Sequence, residues 1–233
     1  SSLTRISRVY IGTQAGPEIG VAATKTFTSQ LSVLAQLALR LSKKRGKISQ
    51  DEMDALAEKL DKLPETVDTI VRSQEDKVKN IAKKYANSKV FFFLGRGIST
   101  ATAFEGRLKL MEIAYIPSIA FPAGESKHGP ISLIEDGFSV VFICPIDDSH
   151  RTLIGNIMEM KARGAKIIAV VEEGDQEIKG LADDYIEVPK GIPSVLSPIP
   201  FAVPLQLFAY YTALEKGFNP DMPRNLAKSV TVK

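Results

Sequence analysis

Tryptophan is absent from the 233-residue chain, cysteine occurs once, at Cys144, and histidine only twice, at His128 and His150. One cysteine excludes a disulfide framework and a thiol-based metal cluster, and points to a reducing compartment. Neither a metal nor a cofactor is expected. No apolar run approaches the roughly 20 residues that cross a bilayer. The opening Ser1, Ser2, Leu3, Thr4, Arg5 has no signal-peptide core, so the expected location is the cytoplasm, with no membrane partner. Charge of one sign is not concentrated either: 30 Lys and Arg are scattered among 27 Asp and Glu. The basic stripe of a nucleic-acid binder is missing, and nucleic acid is not expected as a partner. Hydrophobic residues, by contrast, make up 44% of the chain and charged ones 24%. At this length that suffices for one sizeable domain with an appendage, or for two small domains.

Two textures follow one another. The first part opens with a β-prone run at residues 8–11, then Gly12 and Ala15-Gly16-Pro17 as turn chemistry. A lone strand needs a partner, so this run is expected to be the last strand of a domain mostly absent here. Phe27, Leu31, Leu34, Ala38 and Leu41 then recur at helical spacing, ending at Lys43-Lys44-Arg45-Gly46. Met53, Leu56, Leu60, Leu63, Val67 and Ile70 continue the rhythm across Pro64, which predicts two helices or a kinked one. Ser73 with Asp76 is expected to cap a third helix carrying Val78, Ile81 and Tyr85. Beyond residue 88 short apolar runs at 90–94, 118–121, 139–144, 166–171 and 185–188 alternate with helical stretches near 99–114, 149–163 and 176–182. That alternation predicts an α/β fold, a doubly wound, parallel, five-stranded sheet between helical layers. A last helix is expected from Pro204 to Lys216, stopped by Gly217, and the tail 218–233 reads as irregular.

Four segments have the residue types for chemistry. Leu94-Gly95-Arg96-Gly97-Ile98-Ser99-Thr100 follows a buried strand and opens a helix. It fits an anion site at a helix N-terminus or, equally, a tight turn capped by Ser99 or Thr100. Glu105, Lys109 and Glu112 share one stripe of the next helix. Beside them Phe104, Leu108 and Met111 form an apolar stripe expected to face the sheet, which would put the charges at the core margin. A solvated ion pair is the plainer reading. Gly124-Glu125-Ser126-Lys127-His128-Gly129-Pro130 places a histidine beyond a strand end, where an α/β enzyme keeps a proton carrier or where a loop merely bonds itself. His150, beside Asp147 and Asp148, reads as ordinary surface. The tail from Pro223 to Lys233 contains Lys228, which spacing alone would leave in solvent.

Taken together, the tail 223–232, the segment 124–130, the run from Glu105-Gly106 through Leu108-Lys109 to Glu112, and Glu18-Ile19-Gly20-Val21-Ala22 with Thr24-Lys25 resemble the glucosamine-6-phosphate synthase family in order and spacing. The resemblance covers nearly the whole chain. It implies a sugar-isomerase (SIS-type) lobe of three layers preceded by a helical connector. The expected division is 1–20 as the end of a first lobe, 21–76 as connector, 77–217 as the second lobe and 218–233 as a closing tail. It implies fructose 6-phosphate and glucosamine 6-phosphate as ligands, with Lys228 forming a Schiff base at C2, Glu112 moving a proton between C1 and C2, and Lys109 beside it. His128 would assist ring opening from a neighbouring subunit, in a homodimer. Val21, Ala23, Ala227 and Glu105 would contact the sugar, Ala23 standing where the family often has serine. No segment resembles the family's glutaminase or the Ser- and Thr-rich phosphate loop of its first lobe. The segment on its own is therefore expected to be inactive. A non-catalytic phosphosugar-binding module and a deglycase-type enzyme remain open readings.

Overall fold

The structure, a computed structural model, describes residues 2–227. A short helix α1 (Ser2–Ile6) precedes residues 8–11, which form no strand; Val9, Tyr10 and Ile11 are exposed, and among the described residues no strand pairs with them. Helices α2 (Lys25–Lys44), α3 (Gln50–Asp61) and α4 (Leu63–Tyr85) follow. The break at Pro64 is real: α3 ends at Asp61, and Pro64 occupies the first turn of α4, where its missing N–H costs nothing. No third helix starts at Ser73, because α4 runs on unbroken to Tyr85 and buries Ile70, Val78 and Ile81 along one face. Ser49 and Glu52 close a reciprocal capping box at the start of α3.

The sheet comprises β1 (Phe91–Gly95), β2 (Ser118–Pro122), β3 (Ser139–Cys144), β4 (Lys166–Glu172) and β5 (Asp184–Val188), all parallel, in the order β2-β1-β3-β4-β5. Helices α5 (Ser99–Ala114), α6 (His150–Lys161), α7 (Gln176–Leu181) and α8 (Pro198–Glu215) complete the fold. Alternation along the strands sorts the core into two halves. Phe91, Phe93, Val141, Ile143, Ile168 and Val170 pack with α4, α5 and α8. Phe92, Leu94, Val140, Phe142, Ile167 and Ala169 pack with α6 and α7. Both faces of the sheet are covered, which is why its strands read as continuous apolar runs.

Helix α8 starts at Pro198 rather than at Pro204, which lies inside it. The segment is buried on nearly every side, so hydrophobic pattern gave no clue to which proline began the helix. Gly106 lets α5 and α8 approach closely: a Cβ there would lie 2.6 Å from Leu205 Cδ1 and 3.1 Å from the Phe93 ring. That contact holds the core face of α5 against α8.

Candidate active site

Helix α5 inverts the expected burial. Phe104, Leu108 and Met111 are 44%, 37% and 39% exposed, whereas Glu105 and Lys109 are 8% and 3% exposed. The core face of α5 is made instead by Ala103, Gly106, Leu110, Ile113 and Ala114. Residues on both sides of that face compete for the remaining shelter, and the charged ones have it, between α5 and α8.

Two charged groups are therefore buried, and Glu112, 21% exposed, meets them at the margin. Lys109 Nζ donates to Glu112 Oε2 at 2.6 Å and lies 3.6 Å from Glu105 Oε1. The second distance is an ion pair too long for a hydrogen bond. Burial pushes the Glu105 carboxyl above the usual carboxylate range; the Lys109 ammonium pulls it back and the Glu112 carboxylate pushes it up again. Such a cluster costs more than a solvated ion pair can return, unless the site uses it.

Of the three, Lys109 lines a cavity of about 340 Å³, walled also by residues between Pro17 and Lys25, by Ile113, Gln206 and Tyr210, and by Pro220 and Asp221. Its volume falls in the range of small-molecule clefts, about 300–1,000 Å³. Among the described residues, the buried atoms Glu105 Oε1 and Gln206 Nε2 have no hydrogen-bond partner. Gln206 lies on the cavity wall, where a polyhydroxylated ligand can satisfy it. The loop wall is fixed by Glu18, whose carboxylate accepts from Thr26 Oγ1 at 2.8 Å and from Thr24 N at 3.2 Å. Glu18 thus puts negative charge at the N-terminus of α2. Lys25 Nζ donates to Pro17 O at 2.5 Å. On the far wall Val21 N donates to Asp221 O at 3.1 Å, so the loop and the base of the tail close on each other.

The remaining sequence candidates divide. Val21 and Ala23 are half-buried in the 17–25 stretch but do not line the cavity, whose wall there is made by Gly20, Ala22 and Thr24; Ala227, exposed, is the last described residue of the tail. Lys228 lies outside the described residues. His128 ends a 3₁₀ turn (Ala123–His128) after β2; it is exposed and does not line the cavity. The glycine turn after β1 resolves as a tight turn. Ser99 N donates to Arg96 O and Thr100 N to Gly97 O, so those N–H groups are spent within the turn, and Thr100 Oγ1 returns to Gly95 O at 3.2 Å. Asp147 and Asp148 line the neighbouring crevice, a poor setting for an anion. His150 is no idle surface group: Nε2 lies 2.8 Å from Asp175 Oδ2, and Asp175 caps α7. Cys144 is buried in β3, where desolvation pushes its thiol far up.

Sequence reasoning missed Gln206, Tyr210 and Asp221 as wall residues and Tyr115 as the tail's contact. Tyr115 OH accepts from Arg224 N across 109 positions of sequence, a pairing that no local pattern encodes. Among the described residues no group of His, Cys, Asp and Glu is placed to hold a metal ion, and no helix is long and apolar enough to cross a membrane.

The SIS domain family matches residues 84–216. Glutamine–fructose-6-phosphate aminotransferases (isomerizing) of Thermococcus kodakarensis and Pyrococcus horikoshii are 46% and 47% identical over the whole chain. The chain spans 38% of the length of each. The solved C-terminal domain of the glucosamine-fructose-6-phosphate aminotransferase from Francisella tularensis superposes with a TM-score of 0.89 at 34% identity, over 96% of this chain and 63% of that one.

Proposed function

The chain belongs to the SIS domain family, and from that premise we propose that it is the second sugar-isomerase lobe, with connector and tail, of a glutamine–fructose-6-phosphate aminotransferase. The observation that carries the reading is the buried Glu105–Lys109 pair with the half-buried Glu112 bonded to it, Lys109 standing in the wall of a cavity bordered by the base of the tail. A protein that only sensed a phosphosugar would have no use for a sheltered carboxylate paired with an ammonium.

The chemistry follows from the groups. The Lys228 amine adds to the C2 carbonyl of open-chain fructose 6-phosphate and water leaves, giving an imine. Ammonia then displaces the lysine amine. Glu112, held by Lys109 at 2.6 Å, takes a proton from C1 and returns one to C2, while the O1 hydroxyl gives up its proton and the C2 nitrogen gains one, so that C1 becomes the aldehyde and C2 carries the amino group. Glu105 and the backbone at Val21, Ala23 and Ala227 hold sugar hydroxyls. His128 faces outward and so suits donation to the site of a second subunit. Phe104, Leu108 and Met111, with Ile119 on edge strand β2, form the exposed apolar surface that a second copy would cover. Sedimentation equilibrium showing only monomer contradicts that part. Ammonia production and phosphate binding fall to parts that this segment does not resemble, and a cytoplasmic setting suits its unpaired, buried thiol.

The test is direct. The protein at its full natural length, given fructose 6-phosphate and glutamine, is expected to form glucosamine 6-phosphate, followed by NMR. Binding of fructose 6-phosphate without conversion would make this a phosphosugar-binding module instead.

A further inference from the structure

We infer that Tyr115 is a positioning residue that clasps the base of the C-terminal tail to α5 and thereby sets where the Lys228 amine can reach. This rests on the proposed function and adds to it the device that delivers the amine.

Tyr115 ends α5 in the left-handed conformation, at φ 57° and ψ 32°, three residues beyond Glu112. The backbone reversal carries its ring off the helix and toward the tail. Its hydroxyl accepts from Arg224 N at 2.8 Å, the Arg224 guanidinium stands 4.2 Å over its ring, and Phe218 packs against it at a centroid distance of 4.8 Å. The same stretch is held on its other side: Asp221 O accepts from Val21 N at 3.1 Å, and Gly20 lies so near that a Cβ would come within 2.9 Å of Asp221 Oδ1. Pro223 is buried between these holds.

The helix that carries Lys109 and Glu112 is thus the helix that anchors the tail. From Arg224 the chain reaches at most about 14 Å to Lys228. Released from Tyr115, the free segment would begin at Asp221 and reach about 25 Å. A shorter tether narrows the volume the amine can sample, and within that volume raises its effective concentration.

Two variants and two readouts test the clasp in the protein at its full natural length. Tyr115→Phe removes one acceptor and keeps the ring. Tyr115→Gly removes ring and hydroxyl in a residue that accepts the left-handed backbone. Amide exchange over 219–227 is expected to accelerate in both. Borohydride trapping of fructose 6-phosphate at saturating sugar is expected to slow about two- to tenfold in Tyr115→Phe, the worth of one hydrogen bond, and further in Tyr115→Gly. The sugar concentration giving half-maximal trapping should stay as in the wild type, a split that general unfolding would not produce. Unchanged exchange overturns the clasp, and so does faster exchange with an unchanged trapping rate. A wild-type protein that traps no sugar overturns the proposed function and leaves no amine to position, a result that the exchange readout separates from a clasp that does not form.

Discussion

Glu112→Gln, in the protein at its full natural length, is expected to lower kcat for glucosamine 6-phosphate formation by about 10²- to 10⁴-fold, the usual worth of a general base. The half-saturating concentration of fructose 6-phosphate should barely move. Glutamine keeps the size of the side chain and can still accept from Lys109 Nζ, now 2.6 Å away, so the contact with Lys109 is preserved while the proton carrier is lost. Steady-state kinetics check this. A loss confined to sugar affinity would make Glu112 a binding group.

Lys109→Met is expected to act on stability, by about 3–5 kcal/mol near pH 8, the cost of leaving a buried charge without its partner. Glu105 and Lys109 are 8% and 3% exposed, so solvent does little to screen the loss. The pH dependence identifies the cause. Burial already raises the Glu105 carboxyl in the folded protein, and Lys109 is the group that holds it down. A carboxyl raised on folding contributes most below its unfolded value and loses that contribution as pH rises through its folded value. Removing Lys109 raises the folded value further, so the deficit of the variant should be small near pH 5 and grow toward pH 8. Adding Glu105→Gln should restore most of the loss. Denaturant unfolding at the two pH values gives the comparison, and a deficit independent of pH would rule out Glu105 ionisation as its source.

The parallel sheet was legible because strands buried on both faces read as unbroken apolar runs; Ser139–Cys144 shows this with every residue buried. The break between α3 and α4 was legible because Pro64 can sit in a first turn and not in a middle one. Helix α5 was not, because apolar residues surround it: Leu110 and Ile113 take the core while Phe104 and Leu108 do not, and only the packing of α8 decides which. Residues 8–11 had strand propensity and no partner, and propensity without pairing makes no sheet. The charged stripe was found by spacing, yet its burial depends on α8 and loop 17–25, both distant in sequence. Tyr115 and the tail meet across a separation that composition and periodicity do not register.

Three lysines stand at or beyond this cavity: Lys25 on the loop wall, Lys109 in the buried cluster, and Lys228 just past the described tail. Lys228 is the residue proposed for the covalent step, on the family resemblance; Lys25 is engaged with Pro17 O and Lys109 with Glu112. Borohydride reduction with fructose 6-phosphate, followed by peptide mass mapping, decides among them. The expected result is a hexose-phosphate adduct on Lys228 that disappears in Lys228→Ala. An adduct on Lys25 or Lys109, or none on any lysine, would contradict the account.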